Sequence, residues 1–218
     1  MTEPTASVSE LIALGRDREA VNAATRDVAK RGAHMNGVEQ LDEVMPLLEK
    51  LVAGISPDQL DSPTPCAKFT VTGVLEHMIG GVVHFAPTFR GAPAGTGVDF
   101  HGSLQERWGS AMVELLAAMH SPGAEDRIIA APFGEVPADT FFRYTVFDGL
   151  LHGWDLASST GQSYEPRDEL VAEVDVFIRQ LLAPEMRDGD TFAAETEAPP
   201  DASLLERLVA FSGRQLPS

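Results

Sequence analysis

From Val38 onward, apolar residues recur at the three- and four-residue intervals of an amphipathic helix: Val38, Leu41, Met45, Leu48, Val52 and Ile55 share one stripe. Ser56-Pro57 ends that helix, because proline cannot continue the hydrogen-bond ladder. Two prolines interrupt SPTPCAKF (62–69), which predicts a loop. Thr70 or Thr72 then caps a second helix running to about Phe85, where Pro87 kinks or ends it. GAPAGTGVDF (91–100) predicts a glycine-rich loop, and a third helix covers about Ser103 to Met119. RIIAAPFGEVPA (127–138) joins β-branched residues to a glycine and predicts a short extended hairpin. A fourth helix runs from about Ala138 to Ser158 before Gly161-Gln162, and a fifth from about Asp168 to Leu182. Asp201 or Ser203 caps a last short helix to about Phe211. The pattern predicts an all-α fold: a four-helix bundle with extra terminal helices and one short hairpin. Such bundles build their sites from side chains that face inward from several helices.

Residues 1–34 follow a different pattern. Their apolar residues are mostly alanine, and a helix from Ser9 to about Lys30 would present few large anchors. Five basic residues (Arg16, Arg18, Arg26, Lys30, Arg31) balance five acidic ones (Glu3, Glu10, Asp17, Glu19, Asp27). This segment is therefore expected to be an N-terminal extension that docks weakly on the domain of residues 35–218 or partners another chain, as in a homodimer.

Because the extension is neutral, the net charge of −17 resides in residues 35–218. Such a surface repels phosphate backbones and anionic headgroups, so neither nucleic acid nor a membrane is an expected partner. No apolar run approaches the roughly 20 residues of a spanning helix, and the N-terminus lacks a basic region followed by an apolar core. The lone Cys66 forms no internal disulfide. These features together predict a cytoplasmic protein.

The candidate chemistry lies on two helices. In FFRYTVFDGLLHGWDLASS (141–159), Asp148, His152 and Asp155 are spaced i, i+4 and i+7 and share one narrow stripe. Carboxylate and imidazole at i, i+4 can grip one divalent ion. A solvated polar face would show the same spacing, although Leu151 and Leu156 flank the stripe and make the helix apolar nearly all round. On the second helix His77 has Gly73, Gly80 and Gly81 at i−4, i+3 and i+4. Each interior glycine costs a helix about 1 kcal/mol relative to alanine. Three of them around one histidine leave room for a close helix or a bulky ligand. His84, at i+7, is a reserve ligand. Cys66, near a helix start, is either a thiol with lowered pKa or ordinary packing. No phosphate-binding glycine loop, nucleophile elbow or Cys-x-x-Cys pattern is present.

Three segments, TPCAKFTVTGVLEHMIGG (64–81), FRYTVFDGLLHGWDLASSTGQ (142–162) and LLERLVAFSGR (204–214), resemble in order and spacing the actinobacterial branch of the DinB/YfiT-like metal-binding superfamily, which includes mycothiol-dependent maleylpyruvate isomerase. The resemblance covers about residues 36–215. It implies a four-helix bundle holding a divalent metal (zinc first, nickel or iron otherwise) on His77, Asp148 and His152. It also implies mycothiol as the small-molecule thiol, and an S-transferase or isomerase acting on a small electrophile. A non-catalytic metal-binding protein of stress response or metal handling is the other expectation. Two positions depart from the pattern: Asp148 stands where related isomerases use glutamate, and Phe69 where a tryptophan is usual.

Overall fold

The computed structural model describes residues 35–182, 186–187 and 192–216. These form helices α1 (Gly37–Ala53), α2 (Val71–Phe89), α3 (Leu104–Met119), α4 (Ala138–Thr160), α5 (Asp168–Leu181) and α6 (Leu204–Phe211). A 3₁₀ turn (Pro57–Gln59) follows α1, and strands β1 (Ile128–Ala131) and β2 (Gly134–Pro137) form the expected antiparallel hairpin before α4. The expected helix over Ser9–Lys30 lies outside the described residues.

Local chemistry sets the helix ends. Asn36, Ser103 and Ser203 each form a capping box with the glutamate three residues on, Glu39, Glu106 and Glu206. Thr70, not Thr72, caps α2 by accepting from the Gly73 amide at 3.2 Å. Gly161 stops α4 with a left-handed φ of 67°. One expected boundary is wrong: α2 does not end at Phe85 but runs through Pro87 to Phe89. Pro87 leaves the Val83 carbonyl without its helical donor, yet the glycine-rich loop folds back over this turn. Gly95 donates to the His84 carbonyl at 2.9 Å, and Gly97 lies so close to the Val83 carbonyl that a β-carbon would come within 2.3 Å of it.

Helices α1 to α4 close into a bundle. α1 packs most extensively on α4 and also on α3, while α2 packs on α3 and α4. The consecutive pair α1 and α2 therefore lie across the bundle from each other. α5 and α6 pack on each other and cover the outer side of α4. This placement explains the all-round apolar sequence of α4. It is buried between the bundle and the α5/α6 pair, with even Thr140, Arg143, His152 and Asp155 buried. No helix among the described residues is long and apolar enough to cross a membrane.

The seam between α1 and α4 is fixed at both ends. At the start, the Gly37 amide donates to Asp139 Oδ1 (2.7 Å), and Arg143 bridges Asp139 Oδ2 (2.8 Å) and the Met35 carbonyl (2.6 Å). At the other end, Gln162 Nε2 donates to the Leu51 carbonyl at 3.0 Å. Gly37 has no room for a side chain: a β-carbon would lie 2.6 Å from Phe142 Cβ and 2.9 Å from the Arg143 backbone nitrogen. We expect Gly37→Ala to destabilise the fold by about 1–3 kcal/mol, the usual penalty of overpacking. Urea and thermal denaturation measure this, and an unchanged melting temperature would contradict so close a helix approach.

Candidate functional site

Residues from α2 and α4 meet at one end of the bundle. Asp148 stands between two imidazoles: its Oδ2 lies 3.6 Å from His77 Nε2 and its Oδ1 3.5 Å from His152 Nε2. One donor atom from each of the three residues lies within 4.8 Å of the others. Ligands bound tetrahedrally to one ion at roughly 2.0–2.2 Å sit about 3.3–3.6 Å from each other. The donor set and its spacing therefore fit a single divalent ion. His152 is buried, whereas the side chains of His77 and Asp148 are 42% and 33% exposed, so the group opens to solvent on one side.

The third member of the α4 stripe acts behind the group. Asp155 is fully buried, and its Oδ2 lies 2.9 Å from His152 Nδ1. The same carboxylate receives two bonds from Arg214, at 2.8 Å to each oxygen, and Arg214 also donates to Ser212 Oγ at 3.0 Å. With Nδ1–H donating to Asp155, the Nε2 lone pair of His152 faces Asp148 and His77, the tautomer a metal-binding histidine needs.

Phe69 closes one side. Its ring stacks on His77 with centroids 5.2 Å apart and meets the His152 ring edge-on at 5.9 Å. The preceding loop holds it there through Phe69 N to the Cys66 carbonyl (2.9 Å) and Thr64 Oγ1 to the Phe69 carbonyl (2.7 Å). Gly73 admits this ring, since a β-carbon would meet Phe69 Cδ1 at 3.1 Å. Among the described residues Gly81 has nothing within 4 Å of the β-carbon it lacks, so the space expected beside His77 is present there, whereas Gly80 faces solvent. His77, Asp148 and Gly81 border a cavity of about 290 Å³ that runs inward between α1, α2, α3 and α4.

Residues 41–106 match the family model of the mycothiol maleylpyruvate isomerase N-terminal domain. Two uncharacterized proteins of Mycobacterium tuberculosis, from strains CDC 1551 / Oshkosh and ATCC 25618 / H37Rv, are each 34% identical over 167 residues, covering 75% of this chain and 90% of theirs. The chain belongs to the mycothiol maleylpyruvate isomerase-like family. No solved structure matches it. The stretch matching the family model carries Phe69 and His77, whereas Asp148 and His152 lie beyond it.

The charges of this isomerase-family site are coupled. Burial pushes the Asp148 carboxyl up, but the imidazoles of His152 and His77 together outweigh it and hold the pKa at about 2. Asp148 in turn raises His77 above its ordinary value of 6.5, against burial. Burial also raises Asp155, but His152 and Arg214 outweigh it and leave the carboxyl below its usual range.

The remaining candidates stay apart. His84 does not join the group and instead meets Phe85 edge-on, 4.6 Å between centroids. His120 pairs with Asp42 at 2.9 Å, and His101 stays exposed. Cys66 is not the activated thiol that its place before a helix allowed, because burial pushes its pKa up despite Arg214 nearby. Arg214 is the site residue that sequence reasoning missed. Its only signal was membership of the 204–214 segment, since nothing local ties it to Asp155, 59 residues away.

Asp155→Ala should cost about 3–5 kcal/mol, because it leaves Arg214 charged, buried and unpaired. The double variant Asp155→Ala/Arg214→Met removes that orphaned charge and should recover part of the loss. A double-mutant cycle by urea denaturation reads this, and additive losses would show that the two side chains act independently.

Proposed function

We propose that this chain is a metal-dependent thiol S-transferase or isomerase of the cytoplasm, using mycothiol and a small electrophile. The observation that carries this is the convergence of His77, Asp148 and His152 on one point that is open to solvent and borders a cavity. Three protein ligands with an open side are the arrangement of a catalytic zinc site. We assign zinc as the first ion to test, ahead of nickel and iron, which accept the same donors. The family's description supports mycothiol as the thiol.

A divalent ion supplies one thing here, stabilisation of a bound thiol as its thiolate; an unperturbed cysteine thiol, with a pKa near 8.5, is mostly protonated at neutral pH. The chain's own residues do the rest. Asp155, held by Arg214, keeps the His152 Nδ1 proton in place and fixes the direction of Nε2. Phe69 packs against both imidazoles and excludes water from that side. The cavity offers the electrophile a place beside the thiol. Cys66 takes no part, since its pKa is raised and the incoming thiol supplies the sulfur.

Elemental analysis should find about one divalent ion per chain, lost in His152→Ala together with mycothiol transfer. Metal-free protein with full activity would overturn the mechanism. Metal affinity should also fall with pH. Binding needs a neutral His77, and a raised pKa lets protons compete at a higher pH than for an ordinary histidine. Competition titration with a chelator from pH 8 down to pH 5.5 should show weakening that begins above pH 6.5, whereas a flat profile would exclude His77 as a ligand.

A further inference from the structure

We propose that the cavity beside His77 and Asp148 makes the site selective for a neutral, apolar electrophile and against anionic ones such as dicarboxylates. This rests on the function proposed above and names its second substrate.

The cavity holds about 290 Å³. An apolar cavity of about 150 Å³ binds benzene, so this one admits a molecule about twice that size. Beyond the end that bears His77 and Asp148, its walls are aliphatic, thioether and aromatic side chains, among them Leu41, Leu48, Phe85, Phe89 and Phe141. Met45, Met78 and Met112 add flexible, polarizable surface that adapts to different shapes. Among the described residues no lysine or arginine lines it, and its one carboxylate is Asp148. Two hydroxyls are present, on Tyr144 and Thr145, both neutral groups. Thr145 Oγ1 already donates to the Phe141 carbonyl at 3.0 Å.

A monoanion could place its carboxylate toward the ligand end and its apolar part inward. A diacid has no such option. Its second carboxylate would enter the apolar end, lose its hydration and find no cation, a penalty that excludes binding. A neutral aryl halide, epoxide or enone meets no such barrier. With 1-chloro-2,4-dinitrobenzene as electrophile, the thiol proton passes to solvent, the sulfur electron pair forms the C–S bond at the chlorine-bearing carbon, and chloride leaves with the C–Cl pair. No oxidant or reductant is required.

The test separates binding from turnover. Calorimetry on the zinc-loaded protein compares unreactive 1,3-dinitrobenzene with isophthalate, a diacid of the same shape in which carboxylates replace both nitro groups. The neutral compound should bind at least tenfold more tightly. Gly81→Leu, which fills the open space at the cavity wall with a good helix former, should weaken it at least tenfold with metal content unchanged. Equal or tighter binding of isophthalate, no binding of either compound, or indifference to Gly81→Leu would each overturn the proposal. In turnover with mycothiol the chlorine-bearing carbon must face the thiol, so the para carboxylate of 4-chloro-3,5-dinitrobenzoate points into the apolar end, and 1-chloro-2,4-dinitrobenzene should exceed it at least tenfold in kcat/KM after correction for the uncatalysed rates. If neither chloride is consumed while the binding preference holds, the transfer function fails and the cavity's selectivity stands.

Discussion

The paired charges of Asp155 and Arg214 are taken almost wholly out of water, and His152 leans on them. A histidine buried on the central helix of the molecule could rotate, or carry its proton on either nitrogen. Behind it, the carboxylate accepts the Nδ1 proton, and the guanidinium satisfies both of that carboxylate's oxygens. An ion pair at this depth contributes little net stability compared with apolar residues of the same shape. What it contributes is direction: it makes one imidazole nitrogen face His77 and Asp148. α6 serves the same end, since the segment that leaves it carries Arg214 to Asp155.

The bundle is uneven, and the unevenness makes the site. α1 and α4 approach so closely that Gly37 cannot bear a β-carbon. α2, on the other side of α4, presents a glycine where other helices present side chains, and Gly81 faces open space at the cavity wall. One seam is packed to the limit and holds the geometry; the other is left incomplete and holds the cavity. Glycine thus plays two opposite parts in one bundle, removing volume so that helices touch and removing volume so that they do not.

Much of this could be read from the residues in order. The helical stripes, the hairpin and the capping serines each rest on neighbours within a few positions, where local physics governs. Asp148 and His152 share a face by spacing alone. Bringing His77 to them needed a tertiary fold, which the family resemblance implied; in the structure one donor atom of each lies within 4.8 Å of the others. Pro87 misled because α2 runs on past it to Phe89, where a loop that comes later in the chain folds back over this turn. Arg214 was invisible as a partner for a related reason: a long-range ion pair leaves no periodicity. The cavity was foreseen only as space beside His77. Its apolar walls come from helices whose stripes look like ordinary core.

The separation of 59 residues between Asp155 and Arg214 also has a temporal meaning. During synthesis α4 emerges with a carboxylate that has no cation to meet it, and α1, α2 and α3 are already present to pack on its other sides. The imidazole acquires its fixed orientation only when the later segment folds back. A nascent chain can thus collapse into most of its bundle before the direction of the His152 imidazole is set.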